Sequence, residues 1–240
     1  MKIYKFKDFN KDNEESYFLQ IILDNSIWCA RPDSLKDEDE FKFELNYEPS
    51  PYTHELLSKA LASYRTTNRP SHELLASHTL NNKRLDVIAK PIIDDLIQKI
   101  RNDMGVTSFS LEKNDYLWKE YGGNGNGVCI EINIPDKLVG ARYHPVNYVV
   151  EKIFHVDSFL ESALFPDRIF ETIRNILLTK TKKWEQEKEI RLIGWRQDVT
   201  MILNDCYISE ITFGSNVPTH TLEKLKTGTA DIRVKIGHSG

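Results

Sequence analysis

Glu187, Glu189 and Arg191 alternate with Ile190 and Leu192 at the end of the run K-T-K-K-W-E-Q-E-K-E-I-R, which spans Lys180 to Arg191. A strand sends successive side chains to opposite faces, so this spacing would gather two carboxylates and a guanidinium on one side and aliphatic groups on the other. Two carboxylates that close interact: one can be held ionised to stabilise positive charge while its neighbour is tuned as a base. Such a pair suits an oxocarbenium-like centre, as in the cleavage of a glycosidic bond. The same residues also read as an exposed strand end whose acids pair with Lys180, Lys183 or Arg191. Spacing alone leaves both readings open.

A second pattern is Ser108-Phe109-Ser110, where alternate hydroxyls leave one strand face and Phe109 enters the other. Paired hydroxyls can position a ribose or a carboxamide without carrying charge, or can simply line the wet side of a sheet. The glycine-rich stretch G-G-N-G-N-G, Gly122 to Gly127, would let backbone N–H groups approach an anion. It lacks the Lys-Ser/Thr ending of a phosphate loop and leads into a strand instead of a helix, which favours a hairpin-type connection. His54, His72 and His78 and the other histidines show no close pairing of the kind zinc requires, so no metal site is expected. Cys29, Cys129 and Cys206 each lie in an apolar, strand-like context and read as small buried hydrophobes.

These groups need elements to hold them. Lys2 to Phe6, Ser26 to Ala30, Val106 to Ser110, Val128 to Ile134, Arg142 to Val150, Glu189 to Trp195, Cys206 to Phe213 and Ile232 to Ile236 carry strand patterns. Glu14 to Asp24, Asp115 to Tyr121, Asp167 to Thr179 and Pro218 to Lys226 carry helical ones. Asp33 to Glu48 is acidic and punctuated by aromatics, as in a solvated loop or lid. His54 to Tyr64 and Arg84 to Arg101 form a helical insertion at 50–104, with Pro91 kinking the second helix or opening its second half. Between them, Thr66 to Asn82 has the composition of a mobile connection. Short strands and separated helices without regular alternation predict a single α+β domain, 1–240, around a curled, largely antiparallel sheet.

The order of these pieces resembles a bacterial family known as domain of unknown function 2971. The matching segments are Y-K-F near the start, W-C-A-R-P-D-S-L followed by acids and Phe41, S-F-S with L-W-K-E-Y and G-V-C-I-E-I, then K-K-W-E-Q-E-K-E-I-R-L-I and I-S-E-I-T-F-G. The usual Asn-Asp-Pro after the second strand stands here as K-D-E-D-E.

A hydroxyl-bearing strand followed by one carrying E-x-E also resembles the ADP-ribosyltransferases of toxins and phage defence. That resemblance implies NAD as substrate, a macromolecular acceptor (protein or nucleic acid), and a possible cognate antitoxin or defence-system partner. It implies that Glu189 holds the nicotinamide ribose, that Glu187 assists the nucleophile, and that Ser108 and Ser110 order the site with Arg191 beside them. Those enzymes grip the dinucleotide with an Arg or His on their first strand, where this chain offers Tyr4 and Lys5. Lys5 would meet a phosphate as a point charge, without the fork of an arginine.

Composition narrows the alternatives. The 32 basic and 36 acidic residues give a formal charge of -4, so attraction to nucleic acid requires a local patch. The opening M-K-I-Y-K-F-K-D-F has no apolar run of the signal-peptide type, and no apolar run approaches the roughly 20 residues that span a bilayer, which predicts a soluble, cytoplasmic chain without membrane contact. Two other functions fit the same residues: a nuclease or nucleotide-processing enzyme using the acids, and a non-catalytic sensor or adaptor module in which they brace the sheet or bind a partner.

Overall fold

The computed structural model describes residues 1–35, 37–63, 72–226 and 233–238. It divides the chain into two compact units, the first made of Met1–Arg31, Gly105–Tyr148 and Lys180–Gly240 and the second of Pro32–Met104 and Val149–Thr179. The architecture is mixed α+β. Cys29, Cys129 and Cys206 are free and buried. Among the described residues no helix is long and apolar enough to cross a membrane.

The first unit holds a seven-stranded sheet: β1 (Lys2–Asp8), β2 (Gly105–Ser110), β3 (Gly127–Asn133), β4 (Tyr143–Pro145), β5 (Glu189–Gly194), β6 (Tyr207–Gly214) and β7 (Arg233–His238). They lie side by side in the order β7-β6-β3-β1-β2-β5-β4, and every pair is antiparallel except β6 with β7. Alternation sorts each strand into two faces. Ile3, Phe109, Ile130, Ile132, Ile190, Leu192, Ile211 and Phe213 share the apolar face, which Phe18 and Ile21 of the helix Glu14–Asp24 and Leu225 of the helix Thr219–Lys226 cover. On the opposite face Phe6 and Cys129 pack under Leu117 and Trp118 of the helix Asp115–Glu120, which Asn114 caps by accepting from the Leu117 N–H.

β1 and β2 meet only where Tyr4 stands opposite Ser110. Farther along the same edge of β2, Val106 bridges to Ala30 and the Thr107 hydroxyl donates to the Trp28 carbonyl at 2.6 Å. The sheet therefore branches at β2, and the strand Ser26–Cys29 pairs in turn with Val199–Ile202.

The glycine run works as a packed connection. A Cβ at Gly127 would sit 2.1 Å from the Lys7 carbonyl oxygen, so only glycine lets β3 approach β1 there. The stretch from Arg142 to Val150, expected as one strand, is two: Tyr143–Pro145 and Asn147–Val149. They part at Val146, whose N–H turns to the Glu189 carbonyl at 2.9 Å. Ile232, the first residue of the last expected strand, lies outside the described residues.

The second unit contains the helices Thr53–Ser63, His72–Asn81, Leu85–Asp103, Val156–Leu164 and Pro166–Leu177. Leu85–Asp103 runs as one helix through Pro91. The polar stretch expected as a connection contains the helix His72–Asn81, because Ala76 and Thr79 give it a buried face against Thr53–Ser63; residues 66–71 lie outside the described residues. Asp33 to Glu48 is no simple loop either: Glu44–Asn46 pairs in parallel with Ile153–His155, and buried Lys152 donates to the carbonyls of Asp39 and Glu40.

Candidate functional site

β1, β2 and β5 are neighbours, and their register sets Tyr4 opposite Ser110 and Ser110 opposite Glu189. The next row sets Ser108 opposite Arg191 and Arg191 opposite His144. Alternation puts Tyr4, Ser108, Ser110, Glu189 and Arg191 on one face, with Tyr4 and Glu189 about 10 Å apart across two strand spacings. Lys5 is on the other face: its ammonium lies 5.6 Å from the Phe109 ring centroid and donates to the Ser108 carbonyl at 2.8 Å. The fold thus brings together every expected site residue of these strands except Lys5.

Glu187 reaches the cluster by a different route from the one its spacing suggests. It ends the 3-10 turn Lys182–Glu187, and Lys188 then adopts a left-handed conformation with φ 44° before the strand begins at Glu189. The reversal abolishes simple alternation, yet both carboxylates converge on one cation. Lys180 Nζ lies 2.6 Å from Glu187 Oε2 and 3.2 Å from Glu189 Oε2.

Each carboxylate has further partners. Arg191 Nε donates to Glu189 Oε1 at 2.7 Å and Nη2 to Oε2 at 3.2 Å, and the Ser108 hydroxyl adds to the polar surroundings that keep the same carboxylate ionised. The Tyr121 hydroxyl donates to Glu187 Oε1. Tyr148 accepts from the Glu189 backbone N–H at 2.8 Å, while the Ser110 hydroxyl donates to the Glu187 carbonyl at 2.7 Å. Ser110 therefore fixes the backbone of the turn. Residue exposure is 5% for Glu187, 4% for Glu189, 4% for Lys180 and 1% for Arg191.

This environment drives the two acids apart. Burial would raise Glu189, but Arg191 and then Lys180 outweigh it and hold the carboxyl well below the ordinary range. Burial lifts Glu187 above its ordinary value, with Glu189 adding to the lift and Lys180 opposing it. One acid is thus firmly ionised and the other binds a proton more readily.

Sequence reasoning named Lys180 among the cations that could pair with the acids, though not as shared between both, and missed the contacts of Tyr121 and Tyr148. Lys180 precedes Glu187 by seven positions, and its ammonium also lies 4.9 Å from the Trp184 ring, so the basic run beside an aromatic was the available signal. The tyrosines come from distant segments and gave none.

In the second unit Ser50, His155 and Asp157 also meet, but not as a nucleophile with its base. Ser50 and Thr53 donate directly to the Asp157 carboxylate, His155 Nε2 is 2.8 Å from the Glu48 carbonyl, and His155 Nδ1 accepts the Asp157 N–H at 3.2 Å. That network caps the helix Val156–Leu164. Among the described residues no group of three or more His, Cys, Asp or Glu side chains is placed to hold a metal ion. No protein-family model matches this chain, and neither a curated protein nor a solved structure matches it.

Proposed function

We propose that the chain is an ADP-ribosyltransferase-like enzyme that splits the nicotinamide glycosidic bond of NAD and passes ADP-ribose to a macromolecule, as a cytosolic toxin or antiphage effector. The observation that carries this reading is the row Tyr4, Ser110, Glu189: the first strand, the hydroxyl strand and the strand beginning with the last acid of E-x-E are adjacent and present these groups to one face. In this reading Glu189, ionised and oriented by Arg191 and Ser108, holds the ribose hydroxyl, and Glu187, with its raised proton affinity, takes the proton of the acceptor. Tyr4 supplies a ring where the resembling enzymes carry Arg or His. Both carboxylates are buried on Lys180, so substrate entry requires that ammonium to release one of them.

The test is nicotinamide release from NAD in the presence of candidate protein and nucleic-acid acceptors. Glu189→Gln, checked for retained fold by circular dichroism, is expected to lower turnover by about 10²–10³-fold. Ser108→Ala should lower it less. If the wild-type protein neither binds NAD nor turns it over with any acceptor, the reading is wrong.

A second reading is favoured by the saturation of the same acids. A carboxylate pair that is buried and satisfied by Lys180, Arg191 and Tyr121 is also what a sheet brace in a non-catalytic sensor or adaptor module would contain. Here Glu189→Gln lowers thermal stability or partner capture and changes no reaction.

A further inference from the structure

We propose that the outer half of the principal sheet, from β1 to β7, binds the backbone of a single-stranded nucleic acid and leads it toward the Tyr4–Ser110–Glu189 row. The row itself continues across the sheet: Tyr4 stands opposite Glu131, Glu131 opposite Glu210, and Glu210 opposite Arg233. From Tyr4 to Arg233 this is three strand spacings, about 14 Å, and the buried Ser110 and Glu189 lie one and two spacings beyond Tyr4.

Four cations stand on this half of the face. Lys2 lies 2.7 Å from Glu131, Lys113 bridges Glu131 at 3.5 Å and Glu210 at 3.0 Å, Arg233 lies 3.7 Å from Glu210, and Lys235 lies 2.7 Å from it. The two carboxylates are buried, whereas the side chains of Lys2, Arg233 and Lys235 are 57%, 71% and 48% exposed. Four positive groups held by two buried negative ones leave two positive charges facing solvent, with the acids fixing them in place. Asp136, at the end of β1, is already paired with the Met1 ammonium at 3.0 Å.

Aromatic groups accompany the charge. Tyr207 is 64% exposed and stands opposite Asn133, which stands opposite Lys2, so its ring shares the face with the cations. Lys113 lies 5.1 Å from the Tyr4 ring centroid. A basic sheet face with an exposed ring fits phosphates on the cations and a base stacked on the tyrosine. The chain carries a net negative charge, so this attraction is local to the patch.

The proposal deepens the transferase reading by naming the acceptor class, and it is tested without NAD. Fluorescence anisotropy follows binding of a labelled oligothymidylate or oligouridylate of about 12 nucleotides, a length within known single-strand site sizes. Neutralising two phosphates predicts a log–log salt slope of about -1.4, hence about sevenfold weaker binding at 200 than at 50 mM salt. Arg233→Gln should reduce the slope by about 0.7, and Tyr207→Ala should weaken binding about fivefold or more at unchanged slope. Both residues are exposed, so both variants should fold.

Absence of binding at low salt, or wild-type binding by both variants, overturns the proposal. So does an oligoglutamate peptide that binds this face while the oligonucleotides do not, which would assign it to acidic proteins. Oligonucleotide binding without any nicotinamide release would sink the transferase reading and leave this one standing. Nicotinamide release with transfer of ADP-ribose to a protein, without oligonucleotide binding, would do the reverse.

Discussion

The Lys180 ammonium lies 2.6 Å from Glu187 Oε2, and the two side chains are 4% and 6% exposed. Because Lys180 also touches Glu189, which Arg191 holds from its other side, the two cations together balance two carboxylates that would otherwise repel in a poorly solvated space. Removing only Lys180 leaves uncompensated buried charge. Lys180→Met should therefore cost about 3–5 kcal/mol in urea unfolding. The double variant Lys180→Met/Glu187→Leu should recover a substantial part of that loss, and additive losses in the double-mutant cycle would contradict the assignment.

Acid should unfold the protein through the carboxylates whose protons are held least tightly. Glu210 is held to about 2, first by its hydrogen bond to Lys235 and then by Lys113, and Glu189 is likewise depressed against Arg191. Their unfolded counterparts titrate near 4.3, so the stability they contribute is intact above about 4.3 and drains as pH falls toward about 2. Glu187 is shifted upward, so protonation favours its folded form and works in the opposite direction. Thermal unfolding followed from about pH 5 to 2.5 should fall more steeply in the wild-type protein than in Glu210→Gln.

Much of this arrangement was legible in local patterns. Alternation in Val128 to Ile134 and in Glu189 to Leu192 fixed which side chains enter the core, and the same alternation put Ser108, Ser110 and Glu189 on the opposite face once their strands paired. Lys5 was misread because the sequence marks it as a cation near the site but not as a member of the apolar face, a parity that the pairing of Tyr4 with Ser110 determines. The turn at Lys188 carries no glycine to announce its left-handed backbone, so Glu187 looked like a strand residue. Tyr121 and Tyr148 reach the acids through tertiary packing, which no window of sequence contains.

The placement of Lys5 has a consequence at alkaline pH. Burial, and next the charge of Lys7, push its pKa down to about 7, against about 10.4 for a lysine in the unfolded chain. Between those values the unfolded state binds more protons, so stability should rise as pH goes from about 7 to 10. Lys5→Met should abolish that rise. A wild-type profile parallel to that of Lys5→Met across this window would show that Lys5 remains an ordinary solvated amine.

Lys188 supplies a separate test of how the acids are brought together. Its φ of 44° lies in the region that costs a side-chain-bearing residue about 1–2 kcal/mol, while glycine adopts it without that penalty. Its backbone is also engaged: the N–H donates to the Glu185 carbonyl at 3.2 Å, and the carbonyl accepts from the Leu111 N–H at 2.8 Å. Glycine keeps both bonds and relieves the strain, but loses more freedom on folding. Lys188→Gly should therefore stabilise the protein by about 0.5–1 kcal/mol, seen as a higher urea midpoint at unchanged slope. Lys188→Val should destabilise it, because a β-branched side chain fits this conformation worst. If glycine is no better than valine, the turn does not hold Glu187 against Lys180 in the way the geometry requires.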